Sequence, residues 1–154
     1  MKNWIKYILF ILLAGVLLIQ FFRPERNRGT LEVGSDMLTY LEAPPALGEK
    51  LKNACYDCHS NNTEYPWYSQ VAPVSWVLAR HIREGKEEVN FSEFGNLEKR
   101  EMIGVLSELC EVVEEGVMPL PGYVSMHKEA AFGTEEIELL CEWSEMEALK
   151  LMRD

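Results

Sequence analysis

The sequence predicts an all-α domain preceded by a single N-terminal transmembrane helix. Three features carry that expectation. An apolar run opens the chain. Four stretches with helical apolar spacing follow, and none shows the alternation of a half-buried strand. At the end of the first stretch stands Cys55-Tyr56-Asp57-Cys58-His59.

Residues 4–22 read WIKYILFILLAGVLLIQFF, with Lys6 as the one charge. A membrane span needs about 20 largely apolar residues, and about 17 at the least. The run is apolar all round, whereas a helix on a soluble core keeps a polar face. It would also suit an export signal, but no small-x-small cleavage site follows it. Residues 1–22 are therefore read as an uncleaved anchor, which makes the membrane a partner through residues 4–22. Lys2 and Lys6 lie on one side, and Arg23, Arg26 and Arg28 on the other. That balance favours placing the following domain inside. Residues 23–43 hold Pro24, Gly29, Gly34 and Ala43-Pro44 and read as a tether; residues 44–154 read as the folded domain.

The chain carries 25 Asp and Glu against 15 Lys and Arg, a formal charge of −10 at pH 7. Such a surface is repelled by phosphate, so no nucleic acid is expected as a partner. It favours solubility and can steer a basic protein partner.

Within the domain, the first helix is predicted from Pro45 to His59. Proline suits an early helical position, and Leu47, Leu51, Ala54, Cys55 and Cys58 share a face. The second is predicted from Val74 to Glu84, closed by Gly85. The third follows Asn96 as N-cap and stops at Gly116 in the C′ position. Its buried face is Met102, Ile103, Leu106, Leu109, Cys110 and Val113. The fourth follows Thr134, with Glu135 and Glu136 at its positive end. Its stripe is Ile137, Leu140, Cys141, Ser144, Ala148 and Leu151. The connections 60–73, 86–96 and 117–133 are long for a small domain unless something else organises them, and a large apolar cofactor would do so.

Three chemistries use paired cysteines with an adjacent histidine. Structural zinc wants a second ligand pair, and Cys110 and Cys141 each stand alone on separate helices. A redox dithiol opens a helix after a strand, whereas this motif ends a helix in an all-α chain. Covalent haem fits the C-x-x-C-H spacing. Residues three apart share a helical face, so both sulfurs reach the vinyl groups on one porphyrin edge and the next imidazole falls under the iron. The expected cofactor is thus one haem c, with Cys55 and Cys58 as thioethers and His59 as the proximal iron ligand. Haem is attached on the outer side of the cytoplasmic membrane. This sets the domain on the periplasmic side of a single-pass protein, against the arginine count.

The sixth iron position is assigned first to Met118, in Gly116-Val117-Met118-Pro119-Leu120-Pro121, where prolines stiffen a loop past a helix end. A methionine there also fills core gaps. His127 and His81 are the alternatives. Arg80 and Arg83 either meet haem propionates or form a solvated face. Tyr65, Trp67, Tyr68 and Trp76 either wall the haem crevice or are plain core. Cys110 and Cys141 either pair as a disulfide or act as small buried hydrophobes.

These residues resemble the haem-binding domain family of small, often membrane-anchored bacterial c-type cytochromes. The likeness runs through Cys55-Tyr56-Asp57-Cys58-His59-Ser60-Asn61-Asn62, Tyr65-Pro66-Trp67-Tyr68 and Ala72-Pro73-Val74-Ser75-Trp76. It continues in His81, Gly85, Asn90-Phe91-Ser92, Met118-Pro119, Tyr123, His127 and Trp143. It covers about residues 45 to 150. Lys128 stands where that pattern has proline, and Cys110 and Cys141 are particular to this chain. The Met-Pro pair is similar to the sixth-ligand segment of class I cytochromes c. The resemblance implies a cytochrome c-like fold around one covalent haem and, by analogy, electron transfer, and it names no partner. One haem carries one electron, which suits a carrier rather than an enzyme, and the expected anchor would keep it next to redox partner proteins such as respiratory complexes. The rival readings are a haem-based sensor or peroxidase-like protein with a labile sixth ligand, and an interaction module whose haem mainly supports folding.

Overall fold

The computed structural model describes residues 2–29 and 34–153. Among them every regular element is helical, and the β-pairing is an isolated antiparallel bridge between Arg28 and Asn62.

Helix α1 spans Lys2–Ile19. Among the described residues no helix is long and apolar enough to cross a membrane. The expected transmembrane helix is therefore corrected, and the single-pass periplasmic placement built on it goes with it. The physical reason lies at Gln20. Its amide returns to the Val16 carbonyl at 2.9 Å and also donates to the Ala72 carbonyl at 3.1 Å, while its oxygen accepts the Ala72 N–H at 3.0 Å. The chain turns there, and Phe21 and Phe22 leave the helix. The uncharged helical part, Tyr7 to Ile19, is then only about 20 Å long at 1.5 Å per residue, against a hydrocarbon layer of about 30 Å.

The segment read as a tether packs onto the domain. Asn27 Nδ2 donates to the Ser60 carbonyl at 2.8 Å and to Thr63 Oγ1 at 2.9 Å, and Gly29 N–H to the Asn61 carbonyl at 2.6 Å. A Cβ on Gly29 would lie 2.9 Å from the Asn61 Cβ, so glycine permits this approach. Helix α2 (Met37–Tyr40), capped by Asp36, buries Met37 completely.

Helix α3 (Pro45–Leu51) runs into a π-helical turn (Lys52–Tyr56) and then a short α4 (Asp57–His59). Helix α5 (Val74–Glu88) continues past Gly85, which was expected to close it. Helix α6 (Lys99–Glu114) starts after the 3₁₀ turn Phe91–Asn96 with Leu97 and Glu98 between them, so Asn96 is not its cap. Glu98 takes that position and its N–H donates to Glu101 Oε2 at 2.9 Å. At the other end Gly116 has φ of +69°, the left-handed C′ conformation. Helices α7 (Pro121–Met126) and α8 (Thr134–Arg153) complete the chain. The long connections are thus built of short helical turns.

The core lies where α2, α3, α6 and α8 meet. Met37, Leu47, Leu51, Phe94, Leu106 and Leu140 are fully or almost fully buried there, with Trp143 beside them. Helices α6 and α8 are joined by a Cys110–Cys141 disulfide. Burying such side chains stabilises by roughly 1.5–3 kcal/mol each. This packing holds α6 in place opposite the cysteine-histidine turn.

Candidate functional site

The π turn is where the site begins. A single such turn inserted in an α-helix offsets the residues that follow it, and these turns recur at functional sites. Here it carries Cys55 and delivers Cys58 and His59 on the next turn, before Ser60 breaks into extended backbone. Both cysteines are free; Cys55 is buried and Cys58 half-buried. Gly85 passes directly behind them. A Cβ there would sit 3.0 Å from the Cys58 carbonyl oxygen and 3.2 Å from the Cys58 Cβ. Gly85 therefore marks a close approach of α5 to the turn rather than a helix end.

Cys55 and His59 open onto an apolar cavity of about 110 Å³, whose wall is Val89, Phe91, Val105, Leu109, Val112 and Val113. Met118 lines the same cavity from the loop after α6. His59 Nδ1 lies 3.2 Å from the Val89 carbonyl. A carbonyl only accepts, so Nδ1 carries the proton and Nε2 keeps its lone pair. Burial, against smaller opposing effects of nearby carbonyls and Glu88, holds the imidazole below its usual value. A neutral ring is the form that ligates a metal.

Neither thiol is held as a thiolate. Burial, helped by the neighbouring Cys58, pushes Cys55 up to about 12. Burial, helped by Asp57, pushes Cys58 up to about 11. A redox dithiol needs the opposite shift. Among the described residues no group of three or more His, Cys, Asp or Glu side chains is arranged to hold a bare metal ion. One buried thiol, one neutral imidazole and one thioether on apolar walls, with the half-buried Cys58 on the adjoining turn outside the lining, are a donor set of the kind that suits haem. The cavity is smaller than the ~300 Å³ at which ligand-sized pockets begin. The exposed Glu88 and Glu108 stand at its rim.

The other expected site residues lie elsewhere. His127 does not line this cavity; its Nε2 is 2.6 Å from Tyr68 Oη, its Nδ1 3.3 Å from Glu129 Oε1, and its ring stacks on Tyr123. His81 lies on α5 away from the cavity lining. Arg80 and Arg83 pair with Glu84 and Glu87 on an exposed face. Tyr65, Trp67, Tyr68 and Trp76 do not wall the cavity: Trp67 is 76 % exposed, and Trp76 donates to the Phe22 carbonyl at 2.6 Å. The residues that do wall it carried a legible signal in part. Val105, Leu109, Val112 and Val113 follow helical spacing on one side of α6. Val89 and Phe91 sit on an irregular stretch that gave none.

Cys55, His59 and Met118 on one apolar cavity of an all-helical domain make a donor set that suits haem. The family comparison agrees: the model of the haem-binding domain family matches residues 14–146, and the chain belongs to that family. No curated protein and no solved structure matches the chain.

Proposed function

We propose that the protein is a monohaem c-type cytochrome that carries single electrons, with haem bonded through Cys55 and Cys58 and ligated by His59 and Met118. The observation that carries this reading is the convergence of Cys55, His59 and Met118 on one apolar cavity, with Cys58 free beside it. When bound, haem supplies a one-electron ferric–ferrous couple. Cys55 and Cys58 would hold the porphyrin by thioether bonds from the π turn and α4. The Val89 carbonyl keeps the His59 proton on Nδ1, orients the ring and raises its basicity. Met118 offers a soft thioether, which raises the reduction potential relative to a second imidazole. Val105, Leu109 and Val112 line the cavity with apolar surface and would keep water from a haem held there. The acidic rim at Glu88 and Glu108 suits a basic redox partner protein.

The test is a visible spectrum of the purified protein before and after denaturation and acid-acetone extraction. Haem that stays with the polypeptide, with the spectrum of a porphyrin lacking free vinyl groups, supports the reading. Extractable haem, with free thiols at both cysteines, would sink the covalent assignment and leave haem binding itself intact. Ferrous protein should resist carbon monoxide in the wild type and bind it in Met118→Ala. Ready binding by the wild type would favour the sensor or peroxidase-like reading.

A further inference from the structure

We propose that Tyr123 is a positioning residue that ties the Met118 segment to the cysteine-histidine turn through Asp57. This rests on the assignment of His59 and Met118 as the axial pair.

The Met118 segment has two anchors. At its start, the Val117 and Met118 N–H groups both donate to the Val112 carbonyl, each at 2.9 Å, just after the left-handed Gly116. At its end, α7 begins at Pro121 and presents Tyr123. The Tyr123 hydroxyl lies 2.9 Å from Asp57 Oδ2 and 3.2 Å from the Asn53 carbonyl. The carboxylate is the stronger acceptor of its proton. Asp57 Oδ1 accepts the Glu64 N–H at 2.9 Å, so this carboxylate is held from both sides. Asp57 stands between the two cysteines of the motif. One side-chain bond therefore spans from the attachment turn to the helix that follows Met118, across 66 residues of sequence.

The phenol ring is itself braced. His127 stacks on it with centroids 4.3 Å apart and planes 12° from parallel. Glu129 accepts from His127 Nδ1, which leaves Nε2 to accept the Tyr68 O–H at 2.6 Å. Tyr68 and His127 thus fix the ring plane, and the ring fixes the hydroxyl on Asp57. Without that bond the far end of the segment would keep only the packing of the Tyr123 ring and Val124 on the core, and Met118 would leave the iron more often. An added ligand would then compete better, because its apparent affinity scales with the open fraction.

The experiment is an imidazole titration of the haem-loaded ferric protein, followed by its visible spectrum. Tyr123→Phe keeps the ring and its stacking and should raise the imidazole affinity about tenfold, equivalent to about 1.4 kcal/mol. Asp57→Asn keeps an acceptor without the charge and should move the affinity the same way by less. Tyr65→Phe serves as control. It removes a hydroxyl that accepts the Asn27 N–H at 2.6 Å and makes no bond to Asp57 or Tyr123. It should lower the thermal midpoint and leave imidazole affinity as in the wild type. Wild-type affinity in Tyr123→Phe, whatever its thermal midpoint, overturns the proposal. A Met118→Ala protein with the ferric spectrum and imidazole affinity of the wild type overturns the ligand assignment instead, so the two failures are separable.

Discussion

The two sides of the cavity are built differently. The His59 side is held by dense hydrogen bonding, part of it within the turn and part of it from segments about 30 residues away, the Val89 carbonyl on His59 included. Asp57 accepts from Thr63 and Glu64, Ser60 closes on Asn62, and Asn61 is gripped by Gly29, Asn90 and Ser92. The Met118 side has two backbone bonds to Val112 and one long-range tie through Tyr123. Local hydrogen bonds within a turn form with little loop closure, whereas a tie across many residues must first overcome it. The comparison teaches that the proximal imidazole sits on a turn braced by many bonds, local and remote, while the distal thioether depends on a few ties between α6, α7 and the turn. Ligand exchange is therefore tuned on the distal side.

The largest expected effect breaks the proximal side outright. Cys55→Ser with Cys58→Ser should remove all covalent haem, so that denatured protein retains no colour. Colour that survives extraction would show attachment elsewhere.

Next comes the support of the distal side. Cys110→Ser with Cys141→Ser opens a link across 31 residues. Chain entropy puts its stabilisation at about 3–4 kcal/mol, readable as a lower denaturant midpoint. Since α6 carries Leu109, Val112 and the start of the Met118 segment, imidazole affinity should rise while covalent attachment stays complete. Lost attachment would show that the two sides are not separable.

Gly85 sharpens the proximal side. Gly85→Ala improves helix propensity by about 1 kcal/mol but drives a Cβ to 3.0 Å from the Cys58 carbonyl oxygen. Overpacking of this kind costs about 1–3 kcal/mol, so the variant should be less stable and attach haem poorly. Gly104→Ala on α6, where a Cβ meets nothing within 4 Å, should be stabilised. Equal responses would remove the steric argument.

The smallest effect is pH dependence in the haem-free chain. Burial holds His59 below its ordinary 6.5, so the unfolded chain takes up the proton first and stability falls as pH drops below 6.5. Burial raises Cys55 from 9.0 to about 12, so the unfolded thiol ionises first and stability falls as pH climbs above 9.0. Urea midpoints against pH should show both slopes, and haem-loaded protein should flatten both, because its imidazole and sulfurs no longer titrate. Identical profiles with and without haem would contradict the assigned groups.

Much of the domain was legible in the sequence. The positions of the four main helices follow from apolar spacing, because a helix on a core repeats its contacts every three or four residues. The site was legible where it is local: the three residues of the haem motif announce themselves by spacing alone. Gly85 shows the limit. Read locally it is a helix stop; in the structure it is a point of close passage, which no one-dimensional pattern records. The role of Asp57 was invisible for the same reason, since Tyr123 lies far along the chain.

The apolar run shows a second limit. Composition reads residues 4–22 as one span, but Gln20 finds partners on Ala72 and ends the helix. The sequence by itself determined an acidic, all-helical chain with a haem motif at the end of its first amphipathic helix, because those properties depend on residue type and near-neighbour spacing. Only the tertiary structure decided which methionine shares a cavity with His59, that His127 braces a tyrosine instead, and that residues 27–29 clasp the turn. Those outcomes depend on distances between segments remote in sequence, and such distances exist only once the helices have packed.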